Sequence, residues 1–152
     1  AANREGGKLA AAERAADSAL AAAETGAGIP EGGMVGVISP YAGQVALLRK
    51  MLAPQIRGGM VEVRTVDGFQ GREKEIIILS AVRANSRANL GFLADHRRLN
   101  VALTRARCGL LVVGDASTLR SDPVWASFLD YAAAAGCEGR IDEHGRVMGR
   151  GG

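Results

Sequence analysis

The chain has 152 residues, of which 47% are hydrophobic and 23% charged, with a formal net charge of +3. This length and balance predict one globular domain, and the mild basicity permits a nucleic-acid partner without requiring one. The two cysteines, Cys108 and Cys137, and the two histidines, His96 and His144, exclude a disulfide framework and show no metal-ligand spacing. We therefore expect reduced thiols, no metal site, no membrane span, and a location in the cytoplasm or nucleus.

The first part of the chain predicts a helix, a strand and a second helix. Residues 8–24 are rich in Ala, with apolar side chains at helical spacing, and residues 34–39 form a short apolar run that indicates a buried strand. Ser39 and Pro40 match the hydroxyl cap and first-turn proline that begin a helix. We expect that helix to end at Pro54.

Strands and helices alternate through the rest of the chain. The sequence predicts strands over 61–66, 75–82 and 110–114, and helices over 95–106 and 123–135, the last with Val124 facing inward. The consecutive apolar residues at 76–79 are typical of a strand buried on both faces. This alternation predicts an α/β fold with a parallel sheet. We assign residues 1–136 to that domain and 137–152 to a flexible Gly-rich tail.

An unusually polar loop occupies residues 65–74, between two predicted strands. Ligands of open α/β sheets bind at the carboxyl ends of the strands, and we expect this loop to lie there. A plain connector has no need for the mixture of hydroxyl, amide, acidic and basic side chains found in it. A solvated loop is the alternative interpretation.

The predicted helix from Asp95 carries arginines along the margins of its apolar face. On a continuous helix, Arg98 and Arg105 share one margin and Arg107 lies along the other. Because no acidic residue lies four positions before or after these arginines, their charges repel one another slightly, and a phosphate would relieve the repulsion. A solvated basic face is the alternative.

Three stretches in order resemble the second motor domain of superfamily 1B helicases, the group that contains the nonsense-mediated-decay helicase and senataxin. They are residues 37–44 (motif IV), 63–85 (motif V) and 97–114 (motif VI). The resemblance covers residues 3 to 135. It implies a RecA-like P-loop NTPase fold, here the second helicase domain, without a phosphate loop of its own.

The family resemblance also implies roles for individual residues. Arg105 matches the arginine finger that stabilises charge on the γ-phosphoryl group. The positions that match the nucleotide-binding side are Gln70, Gly71, Arg72, Glu73 and Arg107. The positions that match the single-strand groove are Ser39, Pro40, Tyr41 and Thr65, although Tyr41 equally fits a core position.

The remaining parts of a motor are missing from this sequence. Gly7-Lys8 is followed by Leu9, which lacks the hydroxyl that a phosphate loop uses to hold Mg²⁺, and Asp142-Glu143 does not follow a buried strand. We expect ATP and Mg²⁺ to be held mainly by an N-terminal RecA-like domain of the same full-length chain, before Ala1. The fragment alone is predicted to be inactive.

Three functions remain open from the residues. The first is half of an ATP-dependent helicase, translocating 5′ to 3′ on single-stranded RNA or DNA as the family implies. The second is a non-catalytic module, derived from such a helicase, that binds nucleic acid or protein. A different α/β phosphate-binding enzyme is disfavoured, because Ser39-Pro40-Tyr41 stands where a Gly-rich loop would follow the first strand.

Overall fold

The structure is a computed structural model that describes residues 33–81, 90–141 and 147–149. The helix predicted over 8–24, the Gly7-Lys8 pair and the Asp142-Glu143 pair lie outside these residues.

A parallel sheet of four strands, in the order β2-β1-β3-β4, forms the centre of the domain. The strands are β1 (Val35–Ser39), β2 (Val61–Thr65), β3 (Lys74–Ser80) and β4 (Ala106–Val113). The central strand β1 pairs in parallel with both β2 and β3, and β4 extends the sheet beyond β3. The predicted α/β class and parallel sheet are confirmed.

Helices and short turns cover both faces of this sheet. The helices are α1 (Ala42–Met51), α2 (Ala53–Arg57), α3 (His96–Leu103), α4 (Ala116–Leu119) and α5 (Pro123–Ala134), with 3₁₀ turns at Asp67–Phe69 and Gly91–Ala94. Because side chains alternate along a strand, Val37 and Ile38 of β1 serve different faces. Val37 packs with Val45 of α1, whereas Ile38 packs with residues from α3 and α5.

The first described helix begins and ends differently from the prediction. Ser39 is the last residue of β1, and α1 starts at Ala42, with Tyr41 as its N-cap and no side-chain cap bond. That helix ends at Met51, before Pro54. Pro54 occupies the first turn of α2, where the N–H that proline lacks is not needed.

The helix that begins at Asp95 is shorter than predicted. The Asp95 cap is confirmed, because its carboxylate accepts from the backbone N–H groups of Arg97 and Arg98 at 3.1 and 3.3 Å. However, α3 ends at Leu103, and Ala106 already belongs to β4. The Arg105 carbonyl instead accepts from the Lys74 N–H at 3.1 Å, which joins this backbone to the sheet. The predicted seven-residue alignment of Arg98 and Arg105 along one helix is therefore wrong.

The inner face of the last helix agrees with the prediction at Phe128 and Leu129, which pack against the core, and differs from it at Val124. Val124, predicted to face inward, is 42% exposed, whereas Trp125 is fully buried. The Trp125 indole donates to the Leu93 carbonyl at 3.0 Å and thereby fixes this face of α5 against the core.

Two short strands lie within the predicted tail. Strands β5 (Gly139–Ile141) and β6 (Val147–Gly149) pair antiparallel, and all three residues of β5 are exposed. Across the described part of the chain, no helix is both long and apolar enough to cross a membrane.

Candidate functional site

The predicted site residues divide between opposite edges of the sheet. Ser39 and Thr65 are register partners at the carboxyl ends of β1 and β2. Gly71, Arg72 and Glu73 instead precede the amino end of β3, and Arg105 precedes the amino end of β4. The expectation that the polar loop lies at the carboxyl ends is therefore correct for its start and wrong for its end. The loop crosses the sheet from one edge to the other.

At the carboxyl edge, two of the predicted residues organise the backbone. Ser39 is fully buried, and its hydroxyl oxygen accepts from the Tyr41 N–H at 3.4 Å. Ser39 therefore holds the turn through Pro40 from a buried position. The Thr65 hydroxyl oxygen accepts from the Gly68 N–H at 3.2 Å, which starts the turn after β2.

Tyr41 lies half-buried beside a second aromatic residue. Its hydroxyl donates to the Leu90 carbonyl at 3.3 Å, and its ring centroid lies 6.4 Å from that of Phe92. The Arg98 guanidinium carbon sits 4.0 Å from the Phe92 ring centroid, a cation–π distance. A small cleft brings Pro40, Phe92 and Arg98 together. This edge thus combines aromatic rings with a cation, the pairing that single-strand grooves use.

At the amino edge, Glu62 of β2 is the centre of a cluster of basic side chains. Its carboxylate lies 2.9 Å from the Lys74 ammonium, 2.8 Å from the Arg72 guanidinium and 2.5 Å from that of Arg64. Lys74 is only 7% exposed, so its charge is compensated inside the domain. Burial on its own would raise the pKa of Glu62. Hydrogen bonds from Lys74 and Arg64 and the charges of Lys74 and Arg72 outweigh that effect, so the pKa of Glu62 is lowered overall and the carboxylate stays ionised.

The segment before β3 presents the other predicted nucleotide residues at the surface. Gln70, Gly71 and Glu73 are exposed, and Gly71 has a φ of 74°, in the left-handed region that glycine adopts without strain. The Arg72 backbone N–H donates to the Phe69 carbonyl at 3.1 Å, and Phe69 is fully buried. A core side chain therefore fixes this exposed turn.

Arg105 is held entirely by neutral acceptors. Its Nε donates to the Val101 carbonyl at 3.0 Å, and one Nη donates to the Thr104 hydroxyl oxygen at 3.1 Å. The Thr104 hydroxyl in turn donates to the Asn100 carbonyl at 2.8 Å. Within the described residues, no carboxylate pairs with Arg105. The guanidinium is thus oriented while its charge remains uncompensated.

Arg107 differs from Arg105 because a carboxylate faces it. The register of β3 and β4 shifts between Lys74 and Ile76, so that Arg107 and Cys108 both reach Glu75. The Arg107 guanidinium lies 3.3 Å from Glu75, and the Cys108 thiol donates to the same carboxylate at 2.9 Å. This hydrogen bond, with burial and the Glu75 charge, raises the pKa of the Cys108 thiol.

The expected repulsion among the helix arginines is therefore relieved by protein groups at two positions. Arg98 lies 3.5 Å from Asp67 and 3.7 Å from Asp95, and Arg107 pairs with Glu75. Asp67 and Glu75 were not predictable as partners from the sequence, because both come from segments of the chain that are distant from these arginines.

The chemistry of the amino edge suits a phosphate group. The Arg105 guanidinium lies just before β4 and the Arg72 guanidinium, paired with Glu62, lies just before β3, and guanidinium is the side-chain group best matched to phosphate oxygens. In the described part of the chain, no three His, Cys, Asp or Glu side chains are grouped to hold a metal ion.

Comparison with known proteins shows the family of the chain. A family model described as an AAA domain matches residues 12–117 of the chain. Helicase sen1 of Schizosaccharomyces pombe is 44% identical over 123 residues, which cover 76% of the chain and 7% of that protein. Regulator of nonsense transcripts 1 of Dictyostelium discoideum is 47% identical over 104 residues, covering 65% of the chain and 8% of that protein.

A third relative extends the same relationship, and all three are much longer than the chain. ATP-dependent helicase NAM7 of Saccharomyces cerevisiae is 45% identical over 117 residues, covering 71% of the chain and 12% of that protein. The chain spans about a tenth of the length of these relatives. With its parallel sheet and the ordered motifs, the chain belongs to the AAA domain family and has the RecA-like fold of superfamily 1 helicases.

Proposed function

We propose that this chain is the second motor domain of an ATP-dependent helicase and supplies the arginine finger and part of the single-strand groove. The observation that carries the proposal is Arg105, an oriented guanidinium without a carboxylate partner among the described residues. Its backbone is bonded to the segment that presents Gly71, Arg72 and Glu73, through the Lys74 N–H and the Arg105 carbonyl at 3.1 Å. Two motifs distant in sequence thus converge on one edge.

In this proposal, the amino edge faces a nucleotide held mainly by an N-terminal RecA-like domain of the same full-length chain. That domain would also hold Mg²⁺, which neutralises phosphate charge when bound. Arg105 would place its free guanidinium N–H groups against the γ-phosphoryl oxygens as negative charge develops on them. Gln70, Gly71, Arg72 and Glu73 would border the nucleotide, with Arg107 at the rim beside Glu75.

The carboxyl edge would carry part of the single-strand groove. Thr65 ends β2, and Pro40 and Tyr41 directly follow β1. The hydroxyl oxygen of Ser39 holds the turn at Tyr41. Contacts there would reach phosphate, sugar and base faces, so binding would not depend on base sequence. We propose 5′ to 3′ movement on RNA or DNA, in the cytoplasm or nucleus.

The proposal is tested by ATP hydrolysis of the full-length protein with and without oligo(U) or oligo(dT). We expect hydrolysis that a single strand stimulates, strand affinity that falls steeply with salt, and no hydrolysis by the 152-residue chain alone. Strand binding without any hydrolysis by the full-length protein would refute the motor. That result would instead support the second candidate, a non-catalytic binding module, which the aromatic and cationic carboxyl edge would still serve.

A further inference from the structure

We propose that Arg98 and Asp67 form a positioning pair that couples strand binding at the carboxyl edge to the placement of Arg105 at the amino edge. This inference rests on the proposed function and adds a specific element to it. The two residues lie in different motifs, on the two segments that connect the sheet edges.

The first segment is a chain of turns from Thr65 to Arg72. Four successive hydrogen bonds hold it, each from a backbone N–H to an oxygen three residues earlier. The donors are Gly68, Phe69, Gln70 and Arg72, and the acceptors are the Thr65 hydroxyl and the carbonyls of Val66, Asp67 and Phe69. The lengths of these bonds lie between 3.1 and 3.2 Å. Because every turn is bonded to the next, a displacement at Asp67 is transmitted toward Arg72.

The second segment is helix α3 (His96–Leu103), with its N-cap Asp95 at the carboxyl edge and Thr104 and Arg105 directly after it at the amino edge. A helix of eight residues is a rigid connector about 12 Å long. Arg98 lies in its first turn, while the Val101 carbonyl and Thr104 hydroxyl in its last turn hold the Arg105 guanidinium. A shift of the first turn therefore moves both of these acceptors.

The two segments pack on the same face of the sheet and are linked at the carboxyl edge. Val66 and Phe69 of the first segment share one buried cluster with Leu99 and Ala102 of α3. Above this cluster, Arg98 Nε lies 3.5 Å from the Asp67 carboxylate, and its guanidinium covers the Phe92 ring beside Tyr41. A bound strand at Tyr41 and Phe92 thus has Arg98 within reach, and its phosphates compete with Asp67 for the same cation.

The pair is poorly suited to a purely structural role. Arg98 and Asp67 are 40% and 63% exposed, and exposed ion pairs contribute little to stability. Its 3.5 Å separation is loose, so it can be exchanged for a phosphate contact at small cost. Such a pair is suited to changing partners between the free and strand-bound states.

The test measures ATP hydrolysis of the full-length protein against oligo(U) or oligo(dT) concentration for D67N, R98Q, the double variant and the charge exchange D67R/R98D. We expect unfolding midpoints to stay at wild-type values, because an exposed ion pair contributes little to stability. Stimulation at saturating strand should fall about tenfold in either single variant and no further in the double variant. The exchanged pair should not recover that stimulation, because the carboxylate it places at position 98 cannot contact phosphates, whereas a purely structural ion pair would be restored by the exchange.

R97Q is the matched control, because it removes the same charge from the same helical turn without an ion pair in the described structure. We expect the maximal stimulation of ATP hydrolysis in R97Q to match wild type, even where the substitution weakens strand affinity. Normal stimulation of the Asp67 and Arg98 variants, or fully multiplicative losses in the double variant, would overturn the coupling alone. A wild-type protein that no strand stimulates would overturn the proposed function together with the coupling.

Discussion

Gly36→Ala tests whether the motif V segment packs on the sheet as described. Gly36 is the second residue of β1, and it lies between Glu62 of β2 and Ile77 of β3. A Cβ atom there would lie 2.5 Å from the Phe69 ring, 2.7 Å from the Ile77 side chain and 3.0 Å from the Lys74 side chain. Since Phe69 and Ile77 are fully buried, neither can move without displacing the core.

Two opposing effects set the size of the change in unfolding free energy. Replacing glycine by alanine restricts the unfolded chain and on its own stabilises by about 0.4–1 kcal/mol. Overpacking a close-packed core destabilises by about 1–3 kcal/mol, and contacts under 3.0 Å lie well inside the optimal separation of about 3.5–4.0 Å. The destabilisation by overpacking is the larger of the two effects, and we expect Gly36→Ala to lower the unfolding free energy by about 1–2 kcal/mol.

Urea unfolding of the chain checks this value, and Gly43→Ala supplies a control of opposite sign. Gly43 lies in α1, and an added Cβ atom there would have nothing within 4 Å. The same substitution should therefore stabilise, by up to about 1 kcal/mol, through helix propensity. A Gly36→Ala variant as stable as wild type would refute the packing of Phe69 and Lys74 against β1.

Two further predictions concern Thr104 and Asp122. Thr104→Val removes the hydroxyl oxygen that accepts from Arg105, so ATP turnover of the full-length protein should fall about tenfold while its KM for ATP stays unchanged. Thr104→Ser keeps the hydroxyl and should retain wild-type turnover. A similar fall in Thr104→Ser would contradict the orienting role. Burial alone would raise the pKa of Asp122, but the His96 hydrogen bond and two backbone N–H donors lower it. Its stabilisation is therefore full above the usual carboxyl pKa and is lost as pH falls through the lowered value. Asp122→Asn keeps the helix cap without the charge, so its urea midpoint should lie below wild type at pH 7 and converge with it in acid; a constant gap would count against this linkage.

The order of strands and helices was predictable because it depends on local patterns. The aliphatic run at 76–79 and the Asp95 cap both signal their elements within a few residues. The end of α3 was not predictable in the same way. Ala106 continues the apolar spacing of the helix, but it pairs with Lys74 as the first residue of β4, and this pairing joins segments 32 residues apart.

The sequence motifs predicted which residues to examine, but they did not predict where those residues lie on the sheet. The motifs name Arg72 and Arg105, but their placement at the amino edge depends on where the loop over 65–74 ends. The role of Glu62 depends on β2 lying on the far side of β1 from β3, which no local pattern reveals. Within the polar loop, the charge of Lys74 is used for this buried pair and not for a ligand.

Single-turnover ATP hydrolysis by the full-length protein carrying Arg105→Ala tests the central claim most directly. An oriented guanidinium that acts on the γ-phosphoryl group predicts a loss of about 10³-fold or more, with ATP affinity nearly unchanged. Arg105→Lys should remain strongly impaired because an ammonium lacks the planar fork, whereas Arg97→Ala should hydrolyse ATP normally. Near-normal turnover by Arg105→Ala would contradict the assignment of this chain as the domain that supplies the arginine finger.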